Sequence, residues 1–267
     1  MKRLACAALL VLASCGNRAQ PTLTVAAAAD LNFALEELAR TFRNTHPGMV
    51  LRIAYGSSGN FLAQIRNGAP YDLFLSADVD YPRRLAASPE AVFPYALGRI
   101  VVWVPSASAL DPRAALHSPT LGHLAIANPE HAPYGRAAEA ALRSMNLYGT
   151  LRPKLVLGEN IAQTFQLVES GAADAGIVAL SLALAPKARG AGRYWEIPLD
   201  LYPKLEQGGL ILHDSAAARD FRDLLLSPSG RAILKQYGFD QPAPPSPQPS
   251  ARAIPSPASS LLSSCPG

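Results

Sequence analysis

Charge is scarce in this chain. Only 16% of the 267 residues are Asp, Glu, Lys or Arg, and no Lys/Arg cluster stands out. That excludes the basic patch on which nucleic-acid binding depends. Cysteine is scarcer still: Cys6, Cys15 and Cys265 are the full set, so residues 22–240 contain none. A disulfide framework and a thiolate metal site are both excluded there. The five histidines, His46, His117, His123, His131 and His213, show no His-x-x-x-His or Glu-x-x-His spacing, which speaks against a helical zinc site. What is abundant is apolar surface. Hydrophobic residues make up 49%, enough for a sizeable core and too much for wholesale disorder.

The two ends read as something other than fold. Lys2 and Arg3 precede an apolar run, Leu4 to Ala13, too short for a permanent membrane span. The run closes in Leu12-Ala13-Ser14-Cys15, which resembles a bacterial lipobox. Residues 1–14 are then a lipoprotein signal peptide and Cys15 the lipidated first residue of the mature chain. The alternative is an ordinary signal peptide with an incidental Cys15, although Asn17-Arg18-Ala19 makes a poor small-x-small cleavage site. Residues 241–267 are dominated by Pro and Ser and read as an extended, solvated tail.

Between the ends, short apolar runs alternate with helical spacing. Leu23–Ala28, Val50–Tyr55 and Leu73–Ser76 read as strands, separated by helices over Leu31–Arg43 and from Phe61. Ile100–Val104 reads as a strand leaving a first domain. A second strand–helix series follows, with strands at Leu124–Ala127, Leu155–Leu157 and Ala175–Val178. The chain then returns through Tyr194–Leu201 to a strand at Gly209–Leu212 and two helices, Ala216–Leu226 and Gly230–Tyr237. The pattern predicts an α/β fold with parallel sheet, in two units joined by two crossing strands. Such hinged pairs bind ligands in the cleft between units.

Four places combine a strand end, a turn of small or polar residues and a helix start. They are Ala28-Ala29-Asp30-Leu31, Gly56-Ser57-Ser58-Gly59, Ala132-Pro133-Tyr134-Gly135 and Glu159-Asn160-Ile161. Helix starts carry unpaired N–H groups and the positive end of the helix dipole, so each is suited to an anion without help from Lys or Arg. Two fall in each unit, which would suit a clamp around one anion.

Several strings in this chain resemble the molybdate-binding proteins of ABC transporters. They are Val25 to Leu31, Gly56 to Gly59, Gln64 to Asp78, Asn128 to Gly135, Gly171 to Leu180 and Lys235 to Phe239. The resemblance spans residues 22–240, in order. It implies a type II periplasmic binding fold, two α/β lobes joined by two hinge strands. Lobe 1 would comprise residues 22–98 plus 199–240, and lobe 2 residues 99–198. It implies a monomeric periplasmic receptor for molybdate or tungstate that serves a membrane permease. It further implies no catalysis and no cofactor. The ligand contacts carried over by position are Ala29, Asp30, Ser57, Ser58, Tyr134 and Ile161, holding the oxyanion without direct cation ligands. A tyrosine that some members place at the position of Ala179 is missing, and Tyr134 is expected to serve through its amide and its hydroxyl.

Asp30 departs from the family pattern, since a carboxylate beside a dianion is unfavourable in a dry cleft. Three readings are open. Asp30 caps the helix while its backbone N–H binds and its carboxylate turns away. Or the carboxylate accepts a proton from a protonated oxyanion, which would favour phosphate-like guests. Or it coordinates a cation. A same-fold receptor for phosphate or sulfate is therefore the nearest alternative. An alternative of another class is a serine hydrolase using Ser57 or Ser58, but Gly56-Ser57-Ser58-Gly59 misses the Gly-x-Ser-x-Gly spacing by one residue. Asp72 and Asp78 read as strand-end and turn residues at the cleft edge, and Trp103 and Trp195 as core packing near the hinge.

Overall fold

The computed structural model describes residues 20–242. The signal segment, Cys15, Cys265 and all but the first two residues of the Pro/Ser-rich stretch lie outside them. In chain order the strands and helices are β1 (Thr22–Ala28), α1 (Asn32–Thr45), β2 (Val50–Gly56), α2 (Ser58–Arg66), β3 (Leu73–Ser76), α3 (Asp80–Arg83), β4 (Phe93–Gly98) and β5 (Ile100–Pro105). There follow β6 (Leu124–Ala127), α4 (Pro133–Ser144), α5 (Tyr148–Leu151), β7 (Leu155–Gly158), α6 (Ile161–Glu169), β8 (Ala175–Ala179) and α7 (Leu180–Ala183). The last are β9 (Gly192–Glu196), β10 (Leu205–Ile211), α8 (Ala216–Leu226) and α9 (Pro228–Gln236).

Two five-stranded sheets result, ordered β2-β1-β3-β10-β4 and β7-β6-β8-β5-β9. Neither is wholly parallel, which corrects the expectation of parallel sheet. Strands β1, β2 and β3 run parallel, but β10 is antiparallel to both β3 and β4. In the second sheet β5 is antiparallel to β8 and β9. The antiparallel members are the strands that carry the chain out of one sheet and back into it. β4 leads into β5 through Arg99 alone, and β9 returns to β10 through residues 197–204. Arg99 pins this crossing, donating to Glu196 at 2.6 Å and to Asp240 at 2.7 Å.

Alternation along β1 explains how the first sheet is covered on both faces. Leu23, Val25 and Ala27 face the cluster built on α1 and α8, with Leu35, Leu38, Phe42 and Phe221. Ala26 faces the other way, onto Phe61, Phe74 and Tyr81. Helix α1 presents Ala34, Leu35, Leu38, Ala39 and Phe42 at the three- and four-residue spacing of one face. The second sheet has its own core around Trp103, Phe165, Leu142 and Ile177, and this core also takes in Ala28, Ala29 and Ala77 from the first. The small residues at the carboxyl ends of β1 and β3 therefore pack directly against the second lobe. No helix among the described residues is long and apolar enough to cross a membrane.

Candidate functional site

The carboxyl ends of the parallel strands in both sheets meet across this apolar seam. At the meeting point lies a small cavity, and Ala29, Asp30, Ser57, Ser58, Tyr134 and Ile161 all line it. Gly56, Ala77, Ala132 and Pro133 complete most of the wall. The cavity wall contains no Lys, Arg or His.

Each helix start is shaped by its own cap. Ser57 caps α2, its Oγ accepting from the Asn60 amide, while the Phe61 amide donates to the Ser57 carbonyl. Asn160 caps α6, its Oδ1 accepting from Ala162 and Gln163. Asn160 thus satisfies the second and third amides of α6; in α2 Ser57 satisfies the third, and the second, that of Gly59, donates to the His131 carbonyl. The first amides, those of Ser58 and Ile161, are left for another acceptor. α4 begins with Pro133, which brings no N–H, so the Tyr134 amide is its first donor. The Ser58 hydroxyl is buried and accepts from the Ala77 amide at 3.0 Å. With one lone pair so occupied, its own O–H is free to donate.

Asp30 does not cap a helix. It sits inside a short 3-10 turn, Ala29–Leu31, that runs directly into α1, and no side chain caps either start. That corrects the capping reading, though the carboxylate is engaged elsewhere. Its Oδ2 accepts from the Tyr134 hydroxyl at 2.8 Å and from Gln207 Nε2 at 2.5 Å. The Tyr134 hydroxyl also accepts from Gln207 Nε2 at 3.2 Å. The Asp30 carbonyl accepts from the Ser181 hydroxyl of the other lobe at 2.8 Å. Asp30 is 1% exposed, and burial raises its pKa to about 6 against the lowering effect of the Gln207 and Tyr134 hydrogen bonds. Burial and the Asp30 charge in turn push the Tyr134 phenol well above its usual value. Among the described residues, Asp30 Oδ1 and Gln207 Oε1 are the buried side-chain polar atoms without a partner. The Tyr134 hydroxyl is thus committed to Asp30, which corrects the expectation that it would serve a ligand; its amide remains available.

Ser57 likewise spends its hydroxyl on structure. Besides capping α2 it lies 3.0 Å from His131 Nδ1 of the other lobe. His131 Nε2 is 3.7 Å from Glu159, whose other oxygen accepts from Asn60 Nδ2 at 2.6 Å. The His131 carbonyl accepts from the Gly59 amide at 2.9 Å. On the opposite rim Arg136 donates to Asp78 at 2.6 Å and to the Tyr81 hydroxyl at 2.7 Å. Asp78 is therefore a cleft-edge residue, whereas Asp72 is held by Thr24 within the first lobe. Trp103 is buried against Phe165, and Trp195 packs half-buried beside the same core.

Gln207, Ser181, Gly98 and the rim pairs were not singled out in the sequence. Gln207 has one visible signal: it is a polar residue in phase with Leu205 and Gly209, the positions that face inward. No cluster of three or more His, Cys, Asp or Glu able to hold a metal ion occurs among the described residues.

Two α/β lobes, crossed twice by the chain and enclosing one cavity of helix-start amides from both sides, define a two-lobed solute receptor. The chain belongs to the bacterial extracellular solute-binding protein family, whose pattern matches residues 23–240. It is 35% identical over 221 residues to the molybdate-binding protein ModA of Rhodobacter capsulatus, spanning 80% of this chain and 86% of that one. To ModA of Azotobacter vinelandii it is 36% identical over 223 residues, spanning 80% and 88%. The solved structure of the Azotobacter vinelandii periplasmic molybdate-binding protein superposes with a TM-score of 0.75 at 34% identity, covering 83% of this chain and all of that one. The type II periplasmic binding fold is the shared architecture.

Proposed function

We propose that this protein captures molybdate, and tungstate with it, outside the cytoplasm and hands it to the permease of an ABC transporter. The observation that carries the reading is a cavity to which both lobes bring uncharged helix-start donors. The amides of Ala29, Ser58, Tyr134 and Ile161 and the Ser58 hydroxyl supply hydrogen bonds without supplying net charge. Guests are then sorted by size and by protonation state, because a donor left unpaired in a dry site costs about 1–3 kcal/mol. A buried arginine would have accepted any dianion. The identity to the two ModA proteins supports the choice of molybdate among oxyanions.

The Asp30 carboxylate is engaged at Oδ2 by Tyr134 and Gln207, two donors that hold it without a proton from the guest. The receptor acts as a monomer without a cofactor, performs no catalysis, and is held at the membrane through a lipid on Cys15. Calorimetry on the mature protein tests the ligand. Molybdate and tungstate are expected to bind tightly, with sulfate and phosphate far weaker; tight binding of phosphate alone would reverse the assignment.

One observation bears on the hydrolase alternative. Ser57, His131 and Glu159 lie in a row, as a nucleophile, base and orienting acid would. But the Ser57 hydroxyl caps α2, and Glu159 is beyond hydrogen-bond reach of His131 and bound to Asn60. The row reads better as a contact between lobes at the cleft rim.

A further inference from the structure

The cavity explains how an anion is held, but three buried polar groups next to it are not accounted for by donors to a guest. Asp30 comes from the first lobe, Tyr134 from α4 of the second, and Gln207 from β10, the strand by which the chain re-enters the first sheet. All three are at most 2% exposed. Their hydrogen bonds form a closed triangle: Tyr134 Oη to Asp30 Oδ2, Gln207 Nε2 to Asp30 Oδ2, and Gln207 Nε2 to Tyr134 Oη. Among the described residues, no Lys, Arg or His donates to the carboxylate.

The triangle is seated on the other crossing strand. Gly98 ends β4 one residue before the chain passes to the second sheet, and a Cβ there would lie 2.3 Å from Tyr134 Oη and 2.9 Å from Gln207 Nε2. Only a residue without a side chain leaves room. A strand irregularity lies at the same point. The β10–β4 register shifts between Gln207 and Gly208, and such a bulge re-aims a side chain. Both crossings of the hinge therefore converge on this triangle. Any separation of the lobes by a few ångströms draws Tyr134 Oη out of reach of Asp30.

Resting on the receptor reading above, we infer that the Asp30 carboxyl, with Gln207 and the Tyr134 hydroxyl, is a latch that holds the lobes shut on the guest. Asp30 is in this role a positioning residue. Its side chain fixes α4, and with it the Tyr134 amide, and governs how slowly the anion leaves. The latch is built after the anion has entered, so the rate of entry is independent of it.

Stopped-flow binding and chase experiments with molybdate on the full mature protein separate the two rates. Tyr134→Phe keeps the amide and deletes only the hydroxyl, and it should release molybdate about ten- to a hundredfold faster at an unchanged association rate. Asp30→Ala should do the same, and Asp30→Asn, which still offers an acceptor to the hydroxyl, should restore slow release. The double variant Tyr134→Phe/Asp30→Ala should release no faster than Asp30→Ala alone, because both changes break one device. If Asp30→Ala does not fold, Tyr134→Phe against Asp30→Asn carries the comparison. Wild-type release rates in Tyr134→Phe, or equal slowing of association, would overturn the latch. Absence of molybdate binding by the unaltered protein would instead sink the receptor reading itself.

Discussion

The hydroxyl of Tyr134 donates across the cleft to the carboxylate of Asp30, 104 residues away in sequence, at 2.8 Å. This one bond resolves how an acidic side chain can stand at the edge of an anion site. One carboxylate oxygen, Oδ2, is engaged by Tyr134 and Gln207, while the helix-start amides carry no charge to oppose an anion. It also carries a consequence for pH.

Burial raises the pKa of Asp30 to about 6 from 3.8. The groups around it are the Tyr134 and Tyr95 phenols, both held neutral by burial, together with Gln207 and Ser181, which do not titrate. Below 3.8 the carboxyl is neutral whether exposed or buried, and the closed form bears no cost. As pH rises through about 6 the buried group ionises and the closed form loses stability, by roughly 3 kcal/mol at most for a shift of about two units. Release of molybdate should therefore quicken across this window, and Asp30→Asn should flatten the profile. Chase kinetics from about pH 4 to about pH 8 read this directly.

Ser58→Ala removes the side-chain donor of the wall that neither His131 nor Asp30 engages. It should weaken molybdate binding by about 1–3 kcal/mol. The Ala77 amide also loses its acceptor, so a modest fall in melting temperature should accompany it. Calorimetry and a thermal scan separate the two effects.

Gly98→Ala would put a methyl group against Tyr134 Oη and Gln207 Nε2. The triangle must spread, and molybdate should leave faster at an unchanged association rate, as in Tyr134→Phe. Stopped-flow release kinetics check it.

The rim pairs should matter less. Arg136 and Asp78 are partly exposed, at 41% and 28%, and exposed pairs contribute only about 0.2–1 kcal/mol. Asp78→Asn should speed release by less than about fivefold, and added salt should shrink the difference further.

A fluorophosphonate label should leave Ser57 and Ser58 unmodified, since one is a helix cap bound to His131 and the other accepts from Ala77. Labelling of either serine, read by peptide mass, would revive the hydrolase alternative.

Much of the architecture was legible because local chemistry and tertiary role agree. Ser57 and Asn160 are cap residues in the sequence and caps in the fold, so the turns they begin were readable. The strands Leu73–Ser76 and Leu124–Ala127 are buried apolar runs with the same bounds in both readings. What escaped had no local signature. β4 carries Pro94 at its second position, which argues against a strand, and β9 is the polar edge strand Gly192–Glu196, which offers no apolar run. The apolar pattern predicts β10 only from Gly209, because Glu206 and Gln207 interrupt it. Gly208 and Gly209 are glycines for a packing reason, with Gly208 against Val79 and Gly209 against Phe93, and the strand extends back to Leu205. That error hid Gln207. The direction of the Asp30 carboxylate was unreadable for the same cause: its partners lie 104 and 177 residues away.

The account stands on neutral donors of both lobes meeting on one oxyanion, and anomalous diffraction from crystals grown with molybdate tests that most directly. A single molybdenum peak is expected in the cavity, its oxygens within hydrogen-bond reach of the Ser58, Tyr134 and Ile161 amides together. A peak held by one lobe alone, or one lying outside the cavity, would contradict it.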